Sequence, residues 1–281
     1  LAEKLLKNKI KVIDLSSAFR FKKDKNFFRA FGYKKNNSLF KKYRVAYGLT
    51  EFNRDEIKSA DLIANPGCYA ITAILSLAPI LNQKFIENKN ILRIDALNGT
   101  TGAGNNPKIN VTHANATEDI LTYNADGHRH APEIEEKINF FFNSKNKIDL
   151  NTAHGNFRRG IYLRINLIVK KKDRKKINRS KIIDIFKNFY KNEKYKFINI
   201  IEHKKNLKKN DKEYDLYPSI VNVIGSNNCC IGLDYDKSNG IVKIISTTDN
   251  LIKGAAGSAI QNMNVIFNFE EDSSLSHYGL F

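Results

Sequence analysis

Cysteine is scarce in this chain. Three cysteines in 281 residues, two of them adjacent at Cys229 and Cys230, exclude a disulfide framework and fit a reducing, intracellular (cytoplasmic) compartment. No apolar run approaches the length of a membrane span, so a membrane partner is not expected. No secretory apolar segment opens the chain either: residues 1–7 read as the end of an amphipathic helix, and Leu1 in place of Met leads to the expectation that residues precede it. Acidic residues are in deficit, 29 against 47 Lys and Arg, for a net charge of +18. Such an excess invites a nucleic-acid reading. The lysines are scattered beside Asn and Ile, however, as AT-rich codons would place them. The densest runs, residues 170–176 and 204–209, hold no aromatic residue on which a base could stack. A solvated basic surface is therefore expected, with no nucleic-acid partner.

The chain does have the means to build a core: 42% hydrophobic residues, with 18 Phe and 12 Tyr. Residues 9–15 read as a strand, the stretch to Tyr43 as irregular, 47–52 as a turn or loop, and 53–60 as a short helix capped by Asn53. Further on, 91–97 and 160–169 read as strands, 132–142 and 180–190 as helices, and 230–235 with 241–245 as a hairpin around Asn239-Gly240. Residues 70–246 thus form a mixed α+β unit. Residues 249–263 read as a closing helix capped by Asp249 or Asn250, with apolar positions four apart. Gly254 and Gly257 each cost that helix about 1 kcal/mol relative to Ala, so either a neighbouring helix or a ligand must approach closely there.

The stretch most suited to chemistry is Leu62-Ile63-Ala64-Asn65-Pro66-Gly67-Cys68. A short strand runs into an Asn-Pro-Gly turn, in which Gly67 supplies backbone freedom, and a helix over 68–77 follows. A cysteine at a helix start meets unpaired N–H groups and the positive end of the dipole, both of which favour the thiolate. The plainer alternative is a buried structural cysteine. A second candidate is Gly127-His128-Arg129-His130, just ahead of a helix with Glu133, Glu135 and Glu136 in its first turns. Histidine can take a proton from a thiol. Cys68 with His128 or His130 is the minimal unit for covalent acyl chemistry, open to a cysteine hydrolase or an aldehyde-forming dehydrogenase. No further ligand stands at metal spacing, so no metal is expected.

Seven stretches in order carry a resemblance: 12–20, 47–51, 64–69, 99–104, 127–134, 159–161 and 249–264. On these the chain resembles the N-acetyl-γ-glutamyl-phosphate reductases of the aspartate-semialdehyde-dehydrogenase-like family. The resemblance implies an α/β fold, with part of a Rossmann-type dinucleotide-binding domain (1–69 and 247–281) and an α+β catalytic and dimerisation domain with a mixed sheet (70–246). It implies NADPH as cofactor, a small acyl-phosphate substrate of arginine biosynthesis, and a homodimer or homotetramer. Cys68 would be the nucleophile, with one of His128 and His130 as its base, His130 being nearer the helix start. Arg20 and Arg159 would bind phosphate or carboxylate, Arg20 bidentately, and Thr101 would add a hydroxyl. Backbone N–H groups of the loop through Gly102 and Gly104 would meet cofactor or substrate. Asn250 would lie near the nicotinamide, and Gly254 would give the cofactor room.

One departure stands out. Such reductases begin with a strand and a Gly-x-x-Gly-x-x-Gly turn that holds a pyrophosphate, and no such turn occurs here. A carrier-linked aminoadipyl or glutamyl phosphate is the alternative substrate, and an inactive fold relic the alternative to an enzyme.

Overall fold

The structure is a computed structural model that describes residues 1–35, 38–87, 91–104, 109–202 and 214–280. The lysine run at 204–209 and the Asn105-Asn106 pair lie outside the described residues. In chain order the elements are α1 (Ala2–Lys7), β1 (Val12–Asp14), α2 (Asp24–Phe31), α3 (Ser38–Lys42), β2 (Val45–Tyr47), α4 (Thr50–Ser59), β3 (Leu62–Ala64) and α5 (Cys68–Leu77). They continue with β4 (Ile91–Asn98), α6 (His113–Ala116), β5 (Leu121–Tyr123), α7 (His130–Phe142), β6 (Lys147–His154) and β7 (Ile161–Ile168). The chain closes with α8 (Arg179–Tyr190), β8 (Ile198–Ile200), β9 (Cys229–Asp236), β10 (Ile241–Thr248) and α9 (Gly257–Ile266).

Two sheets organise the molecule. The first is parallel, in the order β1-β3-β2, with Val12 and Val45 both opposite Leu62. The second has seven strands in the order β5-β6-β4-β7-β10-β9-β8. Its β4–β6 and β8–β9 pairs are parallel and the others antiparallel, so the expected mixed sheet is present. The hairpin forms as the Asn-Gly signal predicts, with Ile241 opposite Asp236.

Helix α5 bridges the two sheets. Every residue from Tyr69 to Leu77 is buried, and each fully buried Ile or Leu contributes about 1.5–3 kcal/mol. Its polar side chains are satisfied by β10: the Thr72 and Thr248 hydroxyls are 2.8 Å apart, and those of Ser76 and Ser246 2.6 Å. That pairing removes the cost of burying four hydroxyls.

Several readings from the sequence need correction. The stretch before Tyr43 is not irregular, for it contains α2, stopped by Gly32 in the left-handed region (φ 74°), and α3. Residues 47–52 are not a loop: β2 ends at Tyr47 and α4 begins at Thr50. Asn53 instead marks a kink (φ −132°, ψ 24°), its side chain donating to the Tyr47 carbonyl. The closing helix begins as a π-helical turn over Ile252–Ala256 before it becomes α9. Asp249 Oδ1 accepts from the N–H groups of Leu251 and Ile252, as a cap should. Cys229 and Cys230 are both buried, and of the two only Cys229 joins the main core.

Helix α9 returns to pack on α4 and β1. A buried ion pair pins the π turn ahead of it: Lys253 Nζ lies 2.5 Å from Glu51 Oε1 and 2.8 Å from Gln261 Oε1, and neither charged side chain is exposed. Removing one partner leaves a buried charge uncompensated. Lys253→Met is therefore expected to destabilise the fold by about 3–5 kcal/mol in urea unfolding. A loss within experimental error of zero would show that the pair does not hold the turn.

Candidate active site

Cys68 is the first residue of α5 and is half-buried. Gly67 before it has ordinary extended backbone (φ −70°, ψ 148°), so backbone freedom is not why glycine stands there. The reason is space. A Cβ on Gly67 would lie 2.5 Å from His130 Nε2 and 2.8 Å from Arg20 Nη1. Gly254, in the π turn, is explained in the same way: its Cβ would lie 2.7 Å from Cys68 Cβ. The space beside Gly254 is thus occupied by Cys68.

His128 and His130 both reach this place. His130 opens α7 and is buried. Its backbone N–H donates to His128 Nδ1 at 3.1 Å, so neutral His128 carries its proton on Nε2. The two rings meet edge to face at 4.7 Å, and the Tyr69 ring lies edge-on to both. His130 Nδ1 is buried without a hydrogen-bond partner. Burial, reinforced by the charges of His128, Arg20 and Arg129, holds His130 well below 6.5. Burial, with Arg129 and His154 adding, pushes His128 down to about 4.

The thiol departs from its sequence-based expectation. Burial raises Cys68 above 9.0; the Tyr69 N–H, Arg20 and Arg129 oppose the rise, Glu133 adds to it, and burial wins. The helix start therefore does not produce a standing thiolate. At neutral pH the two groups therefore rest as thiol and neutral imidazole.

Arg20 is also differently employed. It is buried, donating from Nε to the Asn65 carbonyl at 2.7 Å and from Nη2 to the Leu15 carbonyl at 2.9 Å. The Nε–Nη2 edge of the guanidinium is thus spent on protein carbonyls. Nη1 faces Gly67 and Glu133.

The loop after β4 turns its amides inward. The N–H groups of Thr100, Thr101, Gly102 and Gly104 all donate to protein carbonyls. Gly102 is glycine because the Asn98 side chain fills the place of a Cβ, and Gly104 because its φ is +86°. Thr101 Oγ1 donates to the Arg158 carbonyl and accepts from Asn250 Nδ2; Asn250 Oδ1 accepts from the Gly160 N–H at 2.7 Å. Asn250 is thus a brace between the loop and β7. Arg159 pairs with Asp249 at 2.8 Å and, with Thr101, Phe157, Leu251 and Leu280, lines a cavity of about 740 Å³. The structure therefore gathers Cys68, His128, His130, Arg20 and Gly254 at one point, and ties Thr101, Gly102, Arg159 and Asn250 to it through the 249–254 turn.

Several site residues escaped the sequence reading. Glu133 is 1% exposed; Oε1 accepts from the Tyr47 hydroxyl at 2.8 Å and the Gly67 N–H at 2.9 Å, and Oε2 lies 3.4 Å from Arg20 Nη1. Its spacing of three from His130 places both on one helix face, a signal that was legible. Tyr123, stacked on His154 at 4.4 Å and hydrogen-bonded to the Tyr69 hydroxyl at 2.8 Å, carried no such signal. The face that fits a dinucleotide is the carboxyl edge of the parallel sheet. There Leu15 and Ser16 are exposed, and Ser17 is half-buried, just ahead of Arg20.

Iodoacetamide alkylation of Cys68 is expected to show a midpoint above pH 9.0, with Cys68→Ala as the blank. A midpoint below that value would restore the thiolate picture.

Residues 1–60 match the model for the semialdehyde dehydrogenase NAD binding domain, and residues 68–250 that for the semialdehyde dehydrogenase dimerisation domain. A relative in Caldicellulosiruptor bescii, an N-acetyl-γ-glutamyl-phosphate reductase, is 40% identical over 270 residues, 95% of this chain and 72% of that protein. One of the same name in Geobacillus sp. (strain WCH70) is 34% identical over 275 residues, 98% of this chain and 74% of that protein. Aspartate semialdehyde dehydrogenase II of Vibrio cholerae has a similar fold, with a TM-score of 0.64 at 15% identity over 95% of this chain and 76% of that one. The chain belongs to the N-acetyl-γ-glutamyl-phosphate reductase family of the semialdehyde dehydrogenases.

Proposed function

We propose that this site carries out the NADPH-dependent reduction of N-acetyl-γ-glutamyl phosphate to its semialdehyde, a step of arginine biosynthesis. The observation that carries the reading is the contact at Gly67, which brings the His130 imidazole and the Arg20 charge against the residue before Cys68. Cys68 Sγ attacks the acyl carbonyl as its proton passes to His130 Nε2. The bond from carbon to the phosphate oxygen breaks, and phosphate leaves a thioester on Cys68. NADPH, when bound, supplies the hydride that lowers the acyl group to the aldehyde level. His130 then returns its proton to Sγ as the carbon–sulfur bond breaks. His128, with its proton on Nε2, is a hydrogen-bond donor in this scheme rather than a second base. Arg20 and the Tyr69 N–H favour the transient thiolate.

The residues suited to holding the cofactor are Leu15, Ser16 and Ser17 on the sheet edge. We divide the chain into a nucleotide unit (1–69 with 247–281) and a substrate unit (70–246), supported by the packing of α9 on α4 and β1. The named relatives act on the acetylated substrate, so the carrier-linked alternative is set aside. A cytoplasmic setting suits the three free cysteines. Among the described residues no helix is long and apolar enough to cross a membrane.

The outer face of the seven-stranded sheet supports a homodimer. Ile91, Arg93, Asp95, Asp149, Arg164 and Asn166 alternate outward there, with both charge signs present for self-complementary pairing. Sedimentation of Arg164→Glu is expected to give monomers where the native chain gives dimers; a native chain that is monomeric at all concentrations would sink this interface.

The activity is tested by phosphate-dependent NADPH formation from N-acetylglutamate semialdehyde. Cys68→Ser is expected to lose about 10⁴-fold or more in kcat, and His130→Asn about 10²–10⁴-fold. Absence of any such activity in the native chain would overturn the reading.

A further inference from the structure

We propose that Glu133 is the positioning residue of this site, setting the distance between nucleophile and base through the Gly67 N–H and steadying Arg20, without touching substrate. The inference rests on the reading of Cys68 and His130 as the reacting pair.

Helix α5 has no side-chain cap of its own, although the N–H groups at a helix start have no partner inside the helix. The Gly67 N–H finds its acceptor 66 positions away, in Glu133 Oε1. The peptide leading into Cys68 is therefore fastened to α7. His130 stands on α7 one turn before Glu133, on the same face. Any slide or rotation of α7 carries base and carboxylate together, and the hydrogen bond makes the backbone ahead of Cys68 follow. The same carboxylate accepts from Tyr47, at the end of β2, and faces Arg20, beyond β1. One buried group thus links the ends of two strands of the first sheet to the turn that presents the thiol. Gly67, pressed between His130 Nε2 and Arg20 Nη1, leaves no slack for a looser arrangement.

Glu133→Gln keeps an oxygen for the Gly67 N–H and the Tyr47 hydroxyl but removes the charge opposite Arg20. Glu133→Ala removes both, and Tyr47→Phe removes one donor while leaving the Gly67 contact intact. Two readouts are taken on the full chain: the pH midpoint and rate of Cys68 alkylation by iodoacetamide, which need no cofactor, and the kcat and KM of the reductase assay. Glu133→Ala is expected to lose about 10²-fold in kcat, the scale of an ångström-sized misplacement, with KM for the acyl substrate unchanged. Glu133→Gln is expected to keep most of kcat while its alkylation midpoint moves down, because Arg20 has lost its countercharge. Tyr47→Phe should stay near the native values.

The proposal is overturned if folded Glu133→Ala keeps the native kcat and alkylation profile, or if its loss falls wholly in KM, which would put the carboxylate on substrate. Should Glu133→Ala not fold, Glu133→Gln decides alone: a native alkylation midpoint refutes the role. A native chain without reductase activity would remove the reductase reading, yet the alkylation shift would still decide the question of Glu133.

Discussion

No side chain larger than hydrogen fits at position 67, because His130 Nε2 and the Arg20 guanidinium already occupy the volume of a Cβ. Three distant parts of the chain meet in that contact: the segment after β1, the turn after β3 and the start of α7. Asn65, two residues earlier, extends the closure. Its N–H continues the β1–β3 ladder onto the Asp14 carbonyl, while its amide reaches Ser258, Ala255 and Asn262 around α9. The turn that presents Cys68 is thus held from both sides, and the π turn at Gly254 closes over the thiol. A π turn costs regular helix geometry, and such distortions are common where a helix must fit around a functional group.

Electrostatic balance follows from the same packing. The first turns of α7 bury Glu133, Glu135 and Glu136, each with partners from elsewhere in the chain. Glu135 takes Arg29 and Lys147, and Glu136 takes the N–H groups of Lys22 and Lys23 with the side chains of Asn26 and Lys137. A helix dipole explains acids in a first turn, but here these acids also anchor α2 and the segment before it. Burial sets the protonation of the reacting pair as well: it disfavours both thiolate and imidazolium.

Legibility varied with the length and purity of each signal. Helix α5 and strand β3 were readable to the residue, because an apolar run bounded by Asn-Pro-Gly has little other use. The hairpin followed from Asn239-Gly240. Strands β5 and β8 have three residues each, too few to show a period. In α2 the cues were present, Asp24 in the first turn and Gly32 after the last, but the helix is only eight residues long. In the glycine-rich loop small residues suggested open amides, whereas the carbonyls of residues 157, 158 and 160 accept from the N–H groups of Thr100, Thr101 and Gly99.

Order and chemical type were determined by the sequence alone: a cysteine at a helix start, a His-Arg-His ahead of an acidic helix, and the family to which seven ordered stretches belong. Those features are local, so residue type and spacing suffice to read them. Only the tertiary structure decided which atoms remain free to react. Arg20 and Glu133 are 113 positions apart, and only the fold brings them into contact. Whether a thiol ionises, whether an arginine can reach a ligand and why a glycine is needed depend on desolvation and on donors already spent, which neighbours brought in by the fold impose.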